Sequence, residues 1–345
     1  MRRDFLKGIA VCLVAGATLA TAGNAWAEDA SAFYKGKVIN WIVPYNPGGG
    51  YDEYSRAIAP YMEKYTGARV DIENMPGAGG MKGANEIFDA PADGLTVGIM
   101  NGSAMVTNQL SGIEGARYKI GEFSYLGRMV ADLRVLVVGT SSPYKTFDDV
   151  VASKQPVLLG ATGLGGSTYV DAVITGPAFG IDQKVVHGFN NSSDVRQAML
   201  RGDIQGMWGS LGSAIQGVED GEHVIVLQSP KKRSAQLPDV PSVFEKAAAL
   251  PNAEAVMPVL DAWDALNAVG RPVAGPPGIP EDRLAFLRDA FQKAMTDPEF
   301  VKLMADTERD LDYASGADME QIAKAATDLA PDVHDKIVAA IRGDI

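Results

Sequence analysis

Short apolar runs and amphipathic segments alternate along this chain from Val38 onward. The first run, "VINWIVPY", is typical of a strand buried on both faces, and after it Tyr54, Ile58 and Met62 recur at helical spacing. The same order returns in "ARVDIENM" followed by "GMKGANEIFDA", and in "QKVVHGF" followed by "SSDVRQAMLRGD". Strands that alternate with helices in this way predict an α/β fold with largely parallel sheets.

Three glycine-rich loops stand between a predicted strand and a predicted helix, in "VPYNPGGG", "ENMPGAGG" and "ATGLGGST". A helix leaves its first backbone N–H groups without partners, and these amides, with the positive end of the helix dipole, suit a carboxylate. Glycine lets a ligand approach the backbone closely, and Asp52 is expected to cap the helix after the first loop. One such loop is equally consistent with a tight turn, but three at the carboxyl ends of strands predict a ligand crevice.

Motifs for catalysis and for nucleotide cofactors are missing from the sequence. "PGGGYD" lacks the G-x-G-x-x-G spacing of a dinucleotide site, and neither G-x-S-x-G nor H-E-x-x-H occurs. Ser142 and Lys145 match S-x-x-K without its partner motifs, and the three histidines do not cluster. We therefore predict no enzyme activity, no catalytic residue, no cofactor and no metal site. His187, which ends a predicted strand, either faces the crevice or makes a structural hydrogen bond.

The first 27 residues, "MRRDFLKGIAVCLVAGATLATAGNAWA", have the basic start, apolar middle and small-residue exit of a secretory signal peptide. Arg2 and Arg3, followed by Phe5, Leu6 and Lys7, are typical of the twin-arginine export pathway. We therefore expect an exported mature protein that begins near Glu28.

Charge and cysteine content exclude several kinds of partner and site. The formal net charge of −12 argues against nucleic acid or an anionic membrane surface as partner, because such a field repels both. The single cysteine, Cys12, lies in the predicted leader, so the mature chain is expected to have neither a disulfide nor a thiolate site.

Several segments resemble, in the same order, the Bug family, the extracytoplasmic solute receptors of tripartite tricarboxylate transporters. The most specific are "VPYNPGGGYD", "ENMPGAGG" and "LPDVPS", and the resemblance covers nearly the whole chain after the leader. It implies a periplasmic binding protein of type II-like form, in which two lobes, each a mostly parallel sheet flanked by helices, are joined by a two-strand hinge. The expected lobes are residues 28–130 plus 262–345 and residues 131–261.

The resemblance also implies a carboxylate ligand that is held between the lobes by loop amides and bridging waters. Carried over to matching positions, the ligand-binding residues are Asn46, Gly48, Gly49, Gly50, Tyr51, Asp52, Gly79, Asn101, Ser103, Gly165, Gly166, Ser167, Thr168, Tyr169, His187 and Asn190. This chain departs from the family at Tyr169, where a histidine is common, and at His187-Gly188, where tyrosine and lysine are common. The resemblance therefore predicts the class of ligand and leaves its identity open.

The sequence predicts a non-enzymatic receptor, monomeric by default, that delivers a small organic carboxylate to the membrane subunits of a tripartite tricarboxylate transporter. Two alternatives stay open. In the first, the receptor docks onto a membrane-bound sensor kinase, which nothing in the sequence distinguishes from transport. In the second, a hydrolase or lyase uses the same fold, and it would need a nucleophile and a base together in the crevice.

Overall fold

Eleven strands in the described part of the chain, residues 30–342 of this computed structural model, form two sheets. The leader predicted over residues 1–27 lies outside the described residues. The first sheet has the order β11-β4-β10-β3-β1-β2, made of β1 (Val38–Val43), β2 (Arg69–Asn74), β3 (Thr96–Ile99), β4 (Ser124–Arg128), β10 (Pro272–Gly275) and β11 (Ala314–Ser315). The second has the order β7-β6-β8-β5-β9, made of β5 (Arg134–Gly139), β6 (Val157–Ala161), β7 (Gln183–His187), β8 (Gly206–Ser210) and β9 (His223–Gln228).

Both sheets are mixed, with parallel pairs beside antiparallel ones. β1 pairs in parallel with β2 and β3, and β6 does so with β7 and β8. β10 runs antiparallel to β3 and β4, and β5 runs antiparallel to β8 and β9. The antiparallel strands β5 and β10 are the ones that the chain reaches from the other sheet. Such a strand enters its sheet at the end where the parallel strands finish, so it runs in the opposite direction.

Helices cover the sheets, and most of them follow the carboxyl end of a strand. The α-helices are α1 (Gly50–Thr66), α2 (Met81–Asp89), α3 (Gly102–Leu110), α4 (Phe147–Val151), α5 (Ser167–Ala178), α6 (Ser192–Leu200), α7 (Leu211–Glu219), α8 (Val243–Ala248), α9 (Ala253–Ala268), α10 (Glu281–Met295), α11 (Pro298–Asp306), α12 (Gly316–Thr327) and α13 (Pro331–Arg342). Within residues 30–342, none of them has the length and apolar character that a membrane crossing requires. The two-lobed α/β fold predicted from the sequence is confirmed.

The core explains why these segments form these elements. In α1 the predicted face of Tyr54, Ile58 and Met62 is buried, and it packs with α10 on one side of the first sheet. A larger apolar cluster contains residues of both sheets, and Trp208 and Trp263 pack edge to face within it with ring centroids 5.6 Å apart. Burial of apolar side chains is the main favourable term in folding, so this shared cluster also stabilises the region between the sheets.

The chain passes from the first sheet to the second between Arg128 and Arg134, and it returns between Gln228 and Pro272. The predicted return near residue 262 falls inside α9, a continuous helix of 16 residues. The lobe limits of 28–130 plus 262–345 and 131–261 stay a prediction.

Candidate ligand-binding site

Loops at the carboxyl ends of the two sheets surround a cavity that is open to solvent, with about 400 Å³ of empty space when the solvent at its mouth is included. Five residues from the first-sheet side line the cavity, namely Tyr45, Gly49, Gly50, Tyr51 and Asn101. Eight residues line it from the second-sheet side, namely Thr162, Ser167, Thr168, Asn191, Ser192, Gly209, Ser210 and Ser213. Arg134 and Arg271 complete the lining. Arg134 is the first residue of β5 and Arg271 immediately precedes β10, so both arginines lie where the chain enters a sheet from the other one.

Three helices begin at this cavity without a side-chain cap. The N-cap residues of α1, α5 and α7 are Gly49, Gly166 and Ser210. The two glycines have no side chain to cap a helix, and the Ser210 hydroxyl accepts no hydrogen bond from the first-turn amides of α7. Away from the cavity, α4, α8 and α12 have complete capping boxes, whereas α2, α9 and α10 also begin without a side-chain cap. Because first-turn N–H groups need an acceptor, the uncapped helix ends favour an anion in the cavity.

Direct hydrogen bonds join the loops of opposite sheets at the rim of the cavity. Asn191 Nδ2 donates to the carbonyl of Pro47 at 3.1 Å, and the Ser193 hydroxyl donates to that of Gly48 at 2.6 Å. Glycines also meet there, since a Cβ added to Gly163 would come within 2.9 Å of the Gly79 nitrogen. The glycines that the sequence analysis selected therefore permit close approach between the two loops as well as access for a ligand.

Asn101 and Tyr45 form a fixed polar wall. Asn101 caps α3 by accepting from the amide of Ala104, and its Nδ2 donates to Tyr45 at 2.7 Å and to Ser167 at 3.0 Å. The Tyr45 hydroxyl donates to the carbonyl of Gly79 at 2.8 Å. Burial raises the pKa of Tyr45 to about 12, so this phenol stays protonated. The wall therefore presents neutral groups that are already hydrogen-bonded to one another.

Asp52 has a different position from the one predicted. The N-cap of α1 is Gly49, and Asp52 lies in the first turn, where its carboxylate accepts from the amide of Gly48 at 3.1 Å, from Arg56 and from Asn74. Burial alone would raise the pKa of Asp52, but these hydrogen bonds lower it below its usual value. Because Gly49 has no side chain to cap the helix, Asp52 instead reaches back and holds the loop, outside the cavity lining.

A buried ion cluster at the base of the cavity was missed by the sequence analysis. Arg134 is 3% exposed and donates through Nε to Asp171 at 2.7 Å, while Asp171 also accepts from the indole of Trp263 at 2.8 Å. Arg271 is 2% exposed and donates through Nε to Asp132 at 2.8 Å. Each arginine stands next to a strongly apolar strand in the sequence, and this pattern could have indicated the cluster. An arginine that such a strand carries into the core is rarely buried without a carboxylate partner.

The structure brings together some of the predicted ligand-binding residues and not others. Six of them line the cavity, namely Gly49, Gly50, Tyr51, Asn101, Ser167 and Thr168. The other ten lie outside the lining, namely Asn46, Gly48, Asp52, Gly79, Ser103, Gly165, Gly166, Tyr169, His187 and Asn190. His187 is exposed at the end of an edge strand and packs edge to face on Tyr169, with ring centroids 5.7 Å apart. The ligand-binding roles of these residues stay predictions.

The lining residues decide what the cavity can do chemically. Among residues 30–342 the charged side chains that line it are the two arginines, with no histidine, carboxylate or lysine. No group of histidine, cysteine and carboxylate side chains within that range has the arrangement of a metal site. The arrangement suits recognition of an anion by N–H and hydroxyl donors.

Comparisons with known proteins agree with this geometry. The model of the Tripartite tricarboxylate transporter family receptor matches residues 54–337. A UPF0065 protein from the tcbD-tcbE intergenic region of Pseudomonas sp. strain P51 is 25% identical over 307 residues, which cover 88% of this chain and 84% of that protein.

Two solved structures have the same fold. The periplasmic binding protein BugD superposes with a TM-score of 0.74 at 19% identity, over 89% of this chain and 98% of BugD. A protein of R. palustris, with adipate, superposes with a TM-score of 0.73 at 19% identity, over 89% of this chain and 97% of that protein. Because the family model spans most of its length, the chain belongs to the tripartite tricarboxylate transporter receptors, the Bug family that its loops resemble.

Proposed function

We propose that the protein is a periplasmic receptor that encloses a small organic carboxylate between its two sheets and delivers it to the membrane subunits of a tripartite tricarboxylate transporter. One observation carries the proposal. A cavity in an acidic protein has only arginines as charged lining residues within the described range, and three helices begin there without a side-chain cap. That combination favours a bound anion although the overall charge of −12 opposes one.

Family membership supports a receptor, and the R. palustris relative with adipate supports a carboxylate as ligand. The contacts between loops of opposite sheets support a mechanism of closure. A ligand stabilises the closed arrangement only through contacts that it makes to both sides at once, and the cavity offers donors on both. Delivery by a monomer to a transporter, rather than to a sensor kinase, is the family's usual role and part of the proposal.

The alternative of a hydrolase or lyase has little support in the lining. Such an enzyme needs a nucleophile with an adjacent base. Serine and threonine hydroxyls line the cavity, but none of the described histidines, carboxylates or lysines does so. The receptor is therefore the function that the site supports best.

A thermal-shift screen of the mature protein tests the proposal, with acetate, succinate, malate, adipate, citrate and benzoate as the panel. A ligand at 100 times its Kd stabilises the folded state by about 2.7 kcal/mol and raises the Tm by several degrees. The carboxamide of each acid is the control, because it has a similar shape without the charge. Calorimetry then gives Kd, and an unchanged ligand after incubation supports a receptor. A panel in which no acid raises the Tm would contradict the proposal.

A further inference from the structure

Arg271 has one donor nitrogen that the other described residues leave unused. Its Nε donates to Asp132 at 2.8 Å and its Nη2 donates to the Ser210 hydroxyl at 2.7 Å. The guanidinium carbon lies 4.7 Å from the ring centroid of Tyr51 and 4.5 Å from that of Tyr54. Nη1 is buried and has no hydrogen-bond partner among residues 30–342. A buried charged donor without an acceptor is costly, so this nitrogen needs one from outside the protein.

The unused nitrogen is next to the start of α1. A Cβ added to Gly50, the first residue of that helix, would lie 2.9 Å from Nη1 and 2.5 Å from the Ser213 hydroxyl oxygen. Gly50, Ser213 and Arg271 all line the cavity. An oxyanion placed there would accept from the first-turn amides of α1, from the hydroxyl and from Nη1. Charge-assisted bonds of this kind are stronger than those to amides alone.

A purely structural role accounts for only part of this arrangement. Asp132 balances the charge of Arg271, and the two tyrosine rings hold the guanidinium plane in place. These contacts use Nε, Nη2 and the guanidinium faces, and they leave Nη1 directed at nothing in the described chain. Burial alone would lower the pKa of Arg271, but Asp132 and the tyrosines raise it above its ordinary value, so the side chain stays charged.

We propose that Arg271 is a specificity-determining residue of the receptor, which donates from Nη1 to the carboxylate that the N-terminus of α1 holds. The inference rests on the proposed function and goes beyond it, because it makes a fixed positive charge, rather than backbone amides alone, responsible for choosing acids over uncharged analogues. Asp132, Ser210, Tyr51 and Tyr54 are then positioning residues that set the direction of Nη1.

The test measures Kd by calorimetry for the panel acid that binds the wild type most tightly and for the carboxamide of that acid. Arg271→Gln is expected to weaken binding of the acid by about 10- to 100-fold and to reduce the acid-to-amide ratio of affinities by a similar factor. The double variant Arg271→Gln with Asp132→Asn keeps the cluster neutral, so the same loss is expected in a protein without an unbalanced buried carboxylate.

Arg128→Gln is the matched control, because Arg128 is also buried, pairs with Asp312 and does not line the cavity. Its acid-to-amide ratio should equal that of the wild type. If the folded Arg271 variants keep the wild-type Kd, or lose affinity for acid and amide equally, the inference is wrong and the proposed function still stands. If the wild type binds none of the six acids, the proposed function fails and the role of Arg271 fails with it.

Discussion

Gly163→Ala should force apart the two loops that carry Gly163 and Gly79 on opposite sides of the cavity. The added Cβ would lie 2.9 Å from the Gly79 nitrogen and 3.2 Å from its Cα, both of them backbone atoms of the opposite loop. Neither atom can move aside by a rotamer change, so the loops must separate. Inserting one methyl into a tight contact costs about 1–3 kcal/mol, and we expect an arrangement with separated loops to escape that cost. If a ligand binds that arrangement, its Kd should rise by about 5- to 150-fold.

Calorimetry with the tightest-binding panel acid measures this change, and the Tm of the ligand-free protein measures any general destabilisation. Gly163 does not have a left-handed φ, so alanine adds no backbone strain, and the ligand-free Tm should stay close to that of the wild type. Gly121→Ala is the matched control, because a Cβ there meets no atom within 4 Å. Wild-type affinity in the Gly163 variant would refute the argument that these loops must touch around the ligand.

Two further predictions concern stability. Asp171→Ala removes the partner of the buried Arg134 and should lower the free energy of unfolding, measured by urea denaturation, by about 3–5 kcal/mol. Asp261 forms an exposed pair with Lys231, so Asp261→Ala should change the free energy of unfolding by less than about 1 kcal/mol. Equal effects would contradict the burial argument. Hydrogen bonds from Lys64 and Tyr65 lower the pKa of Asp297 from 3.8 to about 2, so its contribution is complete above about pH 4 and is lost as the pH falls towards 2. Across that window the Tm of the wild type should fall more than that of Asp297→Asn, and parallel curves would count against this pKa.

Local chemistry made much of the fold predictable. The glycine loops precede α1 and α5 as expected, because a loop that ends a strand and exposes helix amides is specified by neighbouring residues. The limit of such reasoning appears in the last helices, where Pro331 begins α13 as a helix separate from α12. Proline is well tolerated at a helix start, and the sequence pattern alone does not separate a start from a bend.

The site was less predictable because its charged part is assembled from distant positions. Asp132 and Arg271 are 139 residues apart in sequence, and each becomes informative only when the crossing segments bring them together. His187 shows the opposite case. The strand was predicted to end there, and β7 does end there, but β7 is an edge strand and the imidazole is exposed. Strand position alone does not determine which face a side chain takes when the register is unknown.

The position of β10 has a consequence for biosynthesis. This strand lies between β3 and β4, yet it begins only at Pro272, long after both neighbours have been made. A nascent chain that stops short of that residue leaves two strands of its first sheet with bare edges, which invite pairing with other molecules. The interval during which the N-terminal part is prone to aggregate therefore ends only when the C-terminal part has emerged from the ribosome.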